Sequence, residues 1–481
     1  MKKNIKRTLL LALAAIMIIG LVAACADDPA PVETPATNGE APPPPPPPAP
    51  VEPPPPPAGG DDDADNGDDD LIVLTYMFWG DEAEIATVTN TLNAFHAEFP
   101  HIRVDPWPVD RDDITEILTT LAAAGELPDT GFMTEEMAIN WARAGFIAAP
   151  TVVGEAPRDI ISFRWEDEVV AYSNCVVQLV FYYNRDLFDA AGVDYAPKTA
   201  ADAWSWDEFV DVARTLTIDA NGNNAHSANF DRNNIVQYGF YLEPAVFQLE
   251  VWALSNGGGF FDPNDWSNVI IHEPEAAEAI QRIADLYLVY GVMPRWGSLD
   301  GTIDAWFLQH NVAMAVNGSW SIGVWLADAM NNHGLNYSVG VLPSMGRSVT
   351  IATAGLAVQY EGTAHPEEAA LFLSWFADTR NNWALIEGGI WMPRYESWYR
   401  DEALMREWAD NANHPPFEDF RSAVIEFSLT NAVSAGWHWV PGYDAFAPAL
   451  ATALADVWSG DATAEEALTA ARPTFVAAIG G

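Results

Sequence analysis

The sequence is poor in basic residues and in cysteine. Its 481 residues include 68 Asp and Glu but only 22 Lys and Arg, which gives a formal net charge of −46 at pH 7. A field of that sign repels polyanions, so nucleic-acid binding is excluded as a function. Cysteine occurs only as Cys25 and Cys175. Two thiols are too few for a disulfide framework, so we expect packing to stabilise the fold.

Motifs for catalysis and for cofactor binding are absent as well. The sequence contains no zinc-binding HExxH, nucleophile elbow, phosphate-binding loop or dinucleotide fingerprint. The acidic run DDDADNGDDD and the segment DANGNNAHSANF, which begins at Asp219, lack the glycine and glutamate spacing of a calcium loop. We therefore expect no cofactor, no metal site and no enzymatic activity.

The first 24 residues have the pattern of a secretory signal peptide. Four basic residues among the first seven precede an uncharged apolar run at 9–21, which is short for a membrane span. The four residues that end in Cys25, VAAC, resemble the cleavage box of bacterial lipoproteins. The resemblance implies that residues 1–24 are removed and that Cys25 is lipidated. The alternative is an ordinary signal peptide that has a cysteine near its end.

Residues 25–70 are predicted to form a disordered stalk. Residues 26–70 carry no Lys or Arg, and residues 42–57 are almost entirely proline. Such a segment cannot bury enough apolar surface to offset its conformational entropy. Proline favours the extended polyproline II conformation, so the stalk would hold a folded domain away from a lipid anchor. No later segment is a candidate membrane span.

From residue 71 onward the pattern is that of an α/β fold. The buried-strand run LIVLTYMFW is followed by apolar residues at helical spacing, namely Ile85, Val88, Leu92, Phe95 and Phe99. Ser205 with Glu208 and Thr463 with Glu466 have the spacing of helix-capping boxes. The length, about 410 residues, suits two lobes.

Six segments in a fixed order carry a family resemblance. They are FYYNRDLFDAAGV, WSWDEFVDVARTLT, DANGN before QYGF, QHNVAMAVNGSW, YSVGVLPSMG and GLAVQYEGTAHPEEAALFLSWF. Together they resemble the family 1 extracellular solute-binding proteins of ABC importers, a group that includes maltose and multiple-sugar binders. One departure is AYSNCVV, which stands where the family usually has YGVP; we expect its cysteine, Cys175, to be a small core residue.

The resemblance implies a monomeric periplasmic-binding-protein fold of two lobes with ligand in the cleft between them. The N-terminal lobe would comprise 71–180 and 349–394, and the C-terminal lobe 181–348 and 395–481. Chain crossings between the lobes would act as a hinge, and a membrane permease would read the closed form.

The candidate ligand-binding residues are mainly aromatic. Sugar rings present apolar faces and a rim of hydroxyls, so a sugar site needs aromatic platforms with polar groups beside them. Trp79 and Asp81 follow the first strand, at the end where open α/β sheets bind ligands. The family resemblance adds Trp320, Trp252, one contact at most from Glu135 and Glu136, and Trp391 with Arg394 at the third chain crossing. Tyr172, before the first crossing strand, and the aromatic cluster Trp437, His438 and Trp439 are further candidates. For each aromatic residue the alternative is a buried structural role.

The sequence therefore predicts a lipid-anchored binding protein on the extracellular face of a bacterial cell membrane. Its cargo would be a carbohydrate, most simply an oligosaccharide, delivered to an ABC permease. Two alternatives stay open: a binding protein for a cationic or amine solute, and a secreted polysaccharide-active enzyme.

Overall fold

The computed structural model describes residues 71–150, 155–165, 168–440 and 442–480. The predicted signal peptide, Cys25 and the stalk lie outside these residues. No helix within the described part is both long enough and apolar enough to cross a membrane.

Strands and helices alternate along the chain, which confirms the predicted α/β class. The strands are β1 (Ile72–Phe78), β2 (Ile102–Pro108), β3 (Thr130–Met133), β4 (Ser162–Trp165), β5 (Glu168–Ser173), β6 (Val177–Asn184), β7 (Ile218–Asp219), β8 (Ile235–Tyr241), β9 (Phe261–Asp262), β10 (Asp265–Val269), β11 (Val312–Gly318), β12 (Tyr337–Gly340), β13 (Thr350–Thr353), β14 (Leu356–Gln359) and β15 (Ala432–Ser434).

The helices are Glu82–Glu98, Ile114–Ala124, Ala138–Ala144, Arg185–Ala191, Trp206–Leu216, Val246–Ser255, Pro274–Leu288, Ile303–Leu308, Ala327–His333, Pro366–Phe376, Trp383–Glu387, Ser397–Arg400, Glu402–Ala409, Phe417–Phe420, Phe427–Asn431, Tyr443–Ser459 and Ala464–Ala478. Short 3-10 turns cover Glu135–Met137, Asp159–Ile161 and Gly436–Trp439, and π-helical turns cover Ile322–Leu326 and Arg421–Glu426.

Two large sheets organise these elements, and β9 and β10 form a separate two-stranded antiparallel sheet. The first has the order β2-β1-β3-β14-β5-β4, in which β1 is parallel to both β2 and β3. The second has the order β15-β13-β6-β11-β8-β7. On one edge of β6, β13 pairs with the beginning of the strand and β12 pairs with its end. All eight residues of β6 are buried, which explains why this strand reads as a continuous apolar run.

The chain passes between the sheets at two short connections. The first, residues 174–176, joins β5 to β6, and the second, residues 354–355, joins β13 to β14. The sheets thus divide the chain a few residues away from the boundaries predicted at 180 and 349, because β6 and β13 each run wholly within the second sheet.

A third segment runs beside these two connections. Val176 and Met392 exchange backbone hydrogen bonds of 2.9 and 3.0 Å, and the Asn174 amide donates to the Gly355 carbonyl at 3.1 Å. Beyond Met392 the chain forms a group of helices and then returns to the second sheet as β15. Three adjacent segments therefore connect the two sheets, and mutual hydrogen bonds hold them together.

Both predicted capping boxes are confirmed. The Ser205 hydroxyl accepts from the Glu208 amide, while the Glu208 carboxylate accepts from the Ser205 amide; Thr463 and Glu466 repeat this arrangement. These contacts satisfy backbone amides that have no partner within the first turn of a helix.

Candidate functional site

A cavity of about 450 Å³ lies at the three connecting segments, between residues of the two sheets. Its walls combine five tryptophans with a smaller number of polar groups. They are formed by Trp79, Glu84, Arg111, Phe132, Glu135, Asn174, Cys175, Val177, Glu243, Phe247, Asn317, Trp320, Val324, Trp325, Thr353, Ala354, Gly355, Ile390, Trp391 and Trp437. This mixture is typical of a small-molecule site, in which apolar surface contributes affinity and a few polar atoms fix orientation.

Trp79 lies at the end of β1 in the first lobe, the lobe that contains the first sheet. Its ring packs edge-on against Phe132 at 5.0 Å, and the Arg111 guanidinium lies 5.7 Å from the ring centre. A Cβ atom on Gly355 would come within 2.7 Å of the indole. The absence of a side chain at this connecting residue therefore allows the ring to lie close to the backbone.

Trp320 takes an equivalent place at the end of β11 on the second lobe. A Cβ atom on Gly318 would approach its ring to 2.0 Å, so this platform also rests on a glycine. Phe247 packs against it at 6.2 Å. The chain then enters the π-helical turn that carries Trp325, another cavity residue. A π-turn inside a helix is often found at a functional site.

Two further tryptophans of the cavity wall are almost fully buried. Trp391 is 7% exposed and donates from Nε1 to Glu84 at 3.2 Å. Trp437 is 6% exposed, and its buried Nε1 has no hydrogen-bond partner among the described residues. Its backbone is held by Glu250, a buried carboxylate on the second lobe that accepts from the neighbouring Gly436 amide at 3.0 Å. Burial raises the pKa of Glu250 to about 8.

Glu135 lies at the end of β3 and is linked to the second lobe through a chain of hydrogen bonds. It accepts from the Thr353 hydroxyl and from the Ala354 amide. Thr353 also bonds to Nε2 of His438 at 3.1 Å, and Ser434 bonds to Nδ1 of the same ring at 3.1 Å. Because the Thr353 proton is directed to Glu135, the His438 ring donates from Nε2 and accepts at Nδ1, as a neutral imidazole does.

Burial shifts the pKa values of this chain in opposite directions. It lowers the pKa of His438 to about 3 and raises the pKa of Glu135 above its ordinary value. Desolvation disfavours the charged form of each group. The histidine is therefore neutral at neutral pH and holds Thr353 and Ser434 in place without carrying charge.

The other polar groups of the cavity are less engaged with the protein. Within the described part of the chain, the buried Oδ1 of Asn174 has no hydrogen-bond partner. Glu84 and Glu243 both have raised pKa values because they are partly desolvated, Glu84 at about 7. With Arg111, they give the cavity hydrogen-bond donors and acceptors in addition to its aromatic walls.

The structure brings together five of the predicted ligand-binding residues: Trp79, Glu135, Trp320, Trp391 and Trp437. It also adds residues that were not singled out from the sequence, among them Glu84, Arg111, Asn174, Glu243, Asn317 and Trp325. Glu84 could have been noticed, because it lies one helical turn after residue 80, where the loop at the end of β1 enters the helix Glu82–Glu98.

The remaining predicted residues do not line this cavity. Asp81 is exposed and caps the helix Glu82–Glu98 by accepting from the Glu84 amide. Glu136 belongs to the turn that also carries Glu135, but it is not a wall residue. Tyr172 and Arg394 line a separate, smaller cavity.

Trp252 and Trp439 do not line the cavity and are both engaged in aromatic packing. Trp252 is fully buried in the second lobe, edge-on to Trp206 and stacked with Phe209, so it offers no surface to a ligand. Trp439 is partly buried and lies between Trp266, at 6.1 Å, and Phe163 of β4, at 5.9 Å. The alternative of a buried structural role therefore describes Trp252.

The sequence matches a known family of proteins. The family model described as bacterial extracellular solute-binding protein matches residues 79–383, more than half of the chain. The chain belongs to this family. No curated protein matches the sequence of this solute-binding protein significantly.

Solved structures share its fold. An ABC substrate-binding protein from Listeria monocytogenes, in complex with cycloalternan, has a TM-score of 0.69 at 20% identity, over 84% of this chain and 98% of that one. The cyclic alpha-maltosyl-1,6-maltose binding protein from Arthrobacter globiformis has a TM-score of 0.66 at 20% identity, over 85% and 99%. Maltose-bound MalE3 from T. maritima has a TM-score of 0.65 at 19% identity, over 84% and 99%. The predicted two-lobe fold is confirmed.

Glu84 gives a prediction about the pH dependence of stability. Because burial raises its pKa from 4.5 to about 7, the folded protein holds this proton more tightly than the unfolded chain does between those values. Its contribution to stability is therefore present below pH 4.5 and is lost as the pH rises to 7. Thermal unfolding from pH 4 to 8 should show that Glu84→Gln gains stability relative to the parent protein across this window.

The matched control is Glu82→Gln, which removes the same charge from an exposed position of the same helical turn. If the difference between Glu84→Gln and the parent stays constant from pH 4 to 8, the carboxyl of Glu84 does not titrate in the way that its burial implies.

Proposed function

We propose that this solute-binding protein captures a carbohydrate, most simply an oligosaccharide, and delivers it to the membrane subunits of an ABC importer. The observation that carries the proposal is the cavity at the connecting segments, in which five tryptophans stand beside polar side chains. Tryptophan faces match the apolar faces of sugar rings, and the Arg111, Asn174 and Asn317 side chains suit hydroxyl groups.

The arrangement of the platforms supports capture by closure. Trp79 belongs to the first lobe and Trp320 to the second, so a ligand that contacts both rings joins the lobes. Rotation about the connecting segments would then expel water and strengthen the polar contacts. The volume of the cavity, about 450 Å³, falls within the usual range for small-molecule sites.

The ligands of proteins with this fold point to the same class. Those three proteins are described with cycloalternan, with cyclic alpha-maltosyl-1,6-maltose and with maltose, all of them carbohydrates. Because the identity of these proteins to this chain is low, their ligands support a class of ligand and not one particular sugar.

The proposal includes an extracellular location and a lipid anchor on Cys25. The order of basic residues, apolar run and VAAC box supports both. The acidic, proline-rich residues that follow would serve as a spacer between the membrane and the binding lobes.

A cationic or amine ligand is the second candidate. Three carboxylates, those of Glu84, Glu135 and Glu243, line the cavity together with a single basic side chain, Arg111. An amine would lower the pKa values of these acids and would also contact the tryptophan faces. Its affinity would fall with ionic strength, whereas that of a neutral sugar would not.

Calorimetric titration with maltose and longer oligosaccharides, cyclic saccharides, amino sugars and polyamines tests the proposal. We expect binding to a saccharide, and we expect Trp320→Ala to reduce its affinity by about 10- to 150-fold, from the loss of roughly 1.5–3 kcal/mol of buried aromatic contact. The control is Trp375→Ala, because Trp375 is also partly buried but contacts Phe95 and Glu98 away from the cavity.

Binding restricted to amines would favour the second candidate. Release of reducing sugar from a polysaccharide by the purified protein would instead indicate the enzyme. If no saccharide binds, the carbohydrate assignment is wrong even though the fold and family stand.

The glycine beneath Trp320 gives a separate prediction. Gly318→Ala should displace the indole into the cavity and weaken saccharide binding at least tenfold, because the new Cβ would overlap the ring. Gly259→Ala is the control, since its Cβ would meet its nearest neighbour at 3.4 Å, an ordinary contact. Calorimetric titration of both variants, after circular dichroism has shown that they are folded, makes the comparison. Equal affinities would mean that Trp320 is not a platform.

The anchor can be tested with the two cysteines of the chain. In a bacterial host that processes lipoproteins and is grown with labelled palmitate, the parent protein should take up the label and Cys25→Ser should not, because the substitution removes the thiol that accepts the lipid. Cys175→Ser should still be labelled, since Cys175 is buried in the folded domain. Labelling of Cys25→Ser would contradict the proposed lipidation.

A further inference from the structure

The smaller cavity on the first lobe contains a buried cation that has no partner. This cavity has a volume of about 50 Å³ and lies between β5, β14, the helix Pro366–Phe376 and the connecting segment that follows Met392. Its walls are mostly apolar, with alanine, proline, valine and leucine side chains around a few polar groups. Arg394 is a wall residue and is 8% exposed.

None of the described residues balances the charge of the Arg394 guanidinium. It forms no hydrogen bond or ion pair with them, and its Nε is buried without a partner. The closest groups are the rings of Tyr172 and Tyr395, whose centres lie 5.7 and 5.5 Å from Cζ. The other charged wall residue, Glu155, is engaged with the amide and hydroxyl of Ser397 at 3.1 and 2.7 Å.

A second polar atom in the same cavity is also unsatisfied. Ser374, on the helix Pro366–Phe376, lines the cavity, and its buried Oγ has no hydrogen-bond partner among the described residues. An unpaired buried cation and an unpaired buried hydroxyl are each costly, and most native proteins avoid both. One ligand with acceptor oxygens would satisfy the two groups together.

We propose that this cavity binds a small monocarboxylate, with its carboxylate on Arg394 and Ser374 and its short alkyl group against the apolar walls. A guanidinium pairs with a carboxylate through two parallel hydrogen bonds. A volume of about 50 Å³ admits a group a few times larger than one water molecule, which suits acetate or propionate and excludes a sugar. The alanine and leucine walls favour a carboxylate with an apolar tail over a fully hydrated inorganic anion.

Burial of Arg394 is consistent with this assignment. It lowers the pKa of the guanidinium, as desolvation of a cation does when no anion is close. A bound carboxylate would offset that cost. The site is separate from the tryptophan-lined cavity, so it does not depend on the proposed carbohydrate function.

Thermal unfolding of the full-length protein tests the site. Sodium propionate is compared with sodium gluconate and sodium chloride at equal ionic strength, because the strongly acidic chain responds to salt in general. Gluconate is too large for the cavity. A ligand that binds only the folded state raises Tm, and tenfold excess over Kd should give a shift of about 1–3 °C with propionate alone.

Two variants remove the site in different ways. Arg394→Gln removes the cation, while Ala370→Leu keeps the cation but fills the cavity from a partly exposed position on the helix. Both should abolish the shift specific to propionate. Arg282→Gln, which removes an arginine that pairs with Glu278 on the second lobe, should retain it. Equal shifts with all three salts, or a propionate shift that survives in Ala370→Leu, would overturn the proposal.

Discussion

The hydrogen bonds among the three connecting segments are the constraint on which the binding site depends. Val176 pairs with Met392, and Asn174 with Gly355, so the segments form a narrow layer between the two sheets. Residues of the same layer, including Cys175 and Ala354, form part of the cavity wall. The cavity is therefore placed by backbone pairing, and each lobe only has to present its side chains toward that layer.

Glycines and buried acids then set the positions of the side chains. Trp79 and Trp320 each rest on a glycine whose side chain would otherwise occupy the space of the indole. Glu135 and Glu250 are buried carboxylates that accept backbone amides from the segments next to the cavity. Desolvation makes the burial of such acids unfavourable. Their presence therefore indicates that fixing these loops stabilises the fold by more than the burial of the carboxylates destabilises it.

Much of the fold could be predicted from local patterns. The capping residues Ser205 and Thr463 and the strand β1 depend on neighbours in the sequence, and the structure has them as predicted. The candidate site was less predictable. An abundance of tryptophan favours an aromatic site, but composition does not distinguish Trp252 from Trp320. Only the packing inside the second lobe shows that Trp252 is fully buried.

The sequence by itself determined the α/β class, the family and the expectation of an aromatic binding site, because these follow from periodicity, segment order and composition. The tertiary structure alone decided which side chains meet. Glu84, Arg111 and Glu243 come from distant parts of the chain and share a cavity, while Arg394, only three residues from Trp391, lies in a different one. The reason is physical: the backbone pairing of Met392 with Val176 fixes how this segment lies between the two sheets, and so determines which of its side chains faces which cavity.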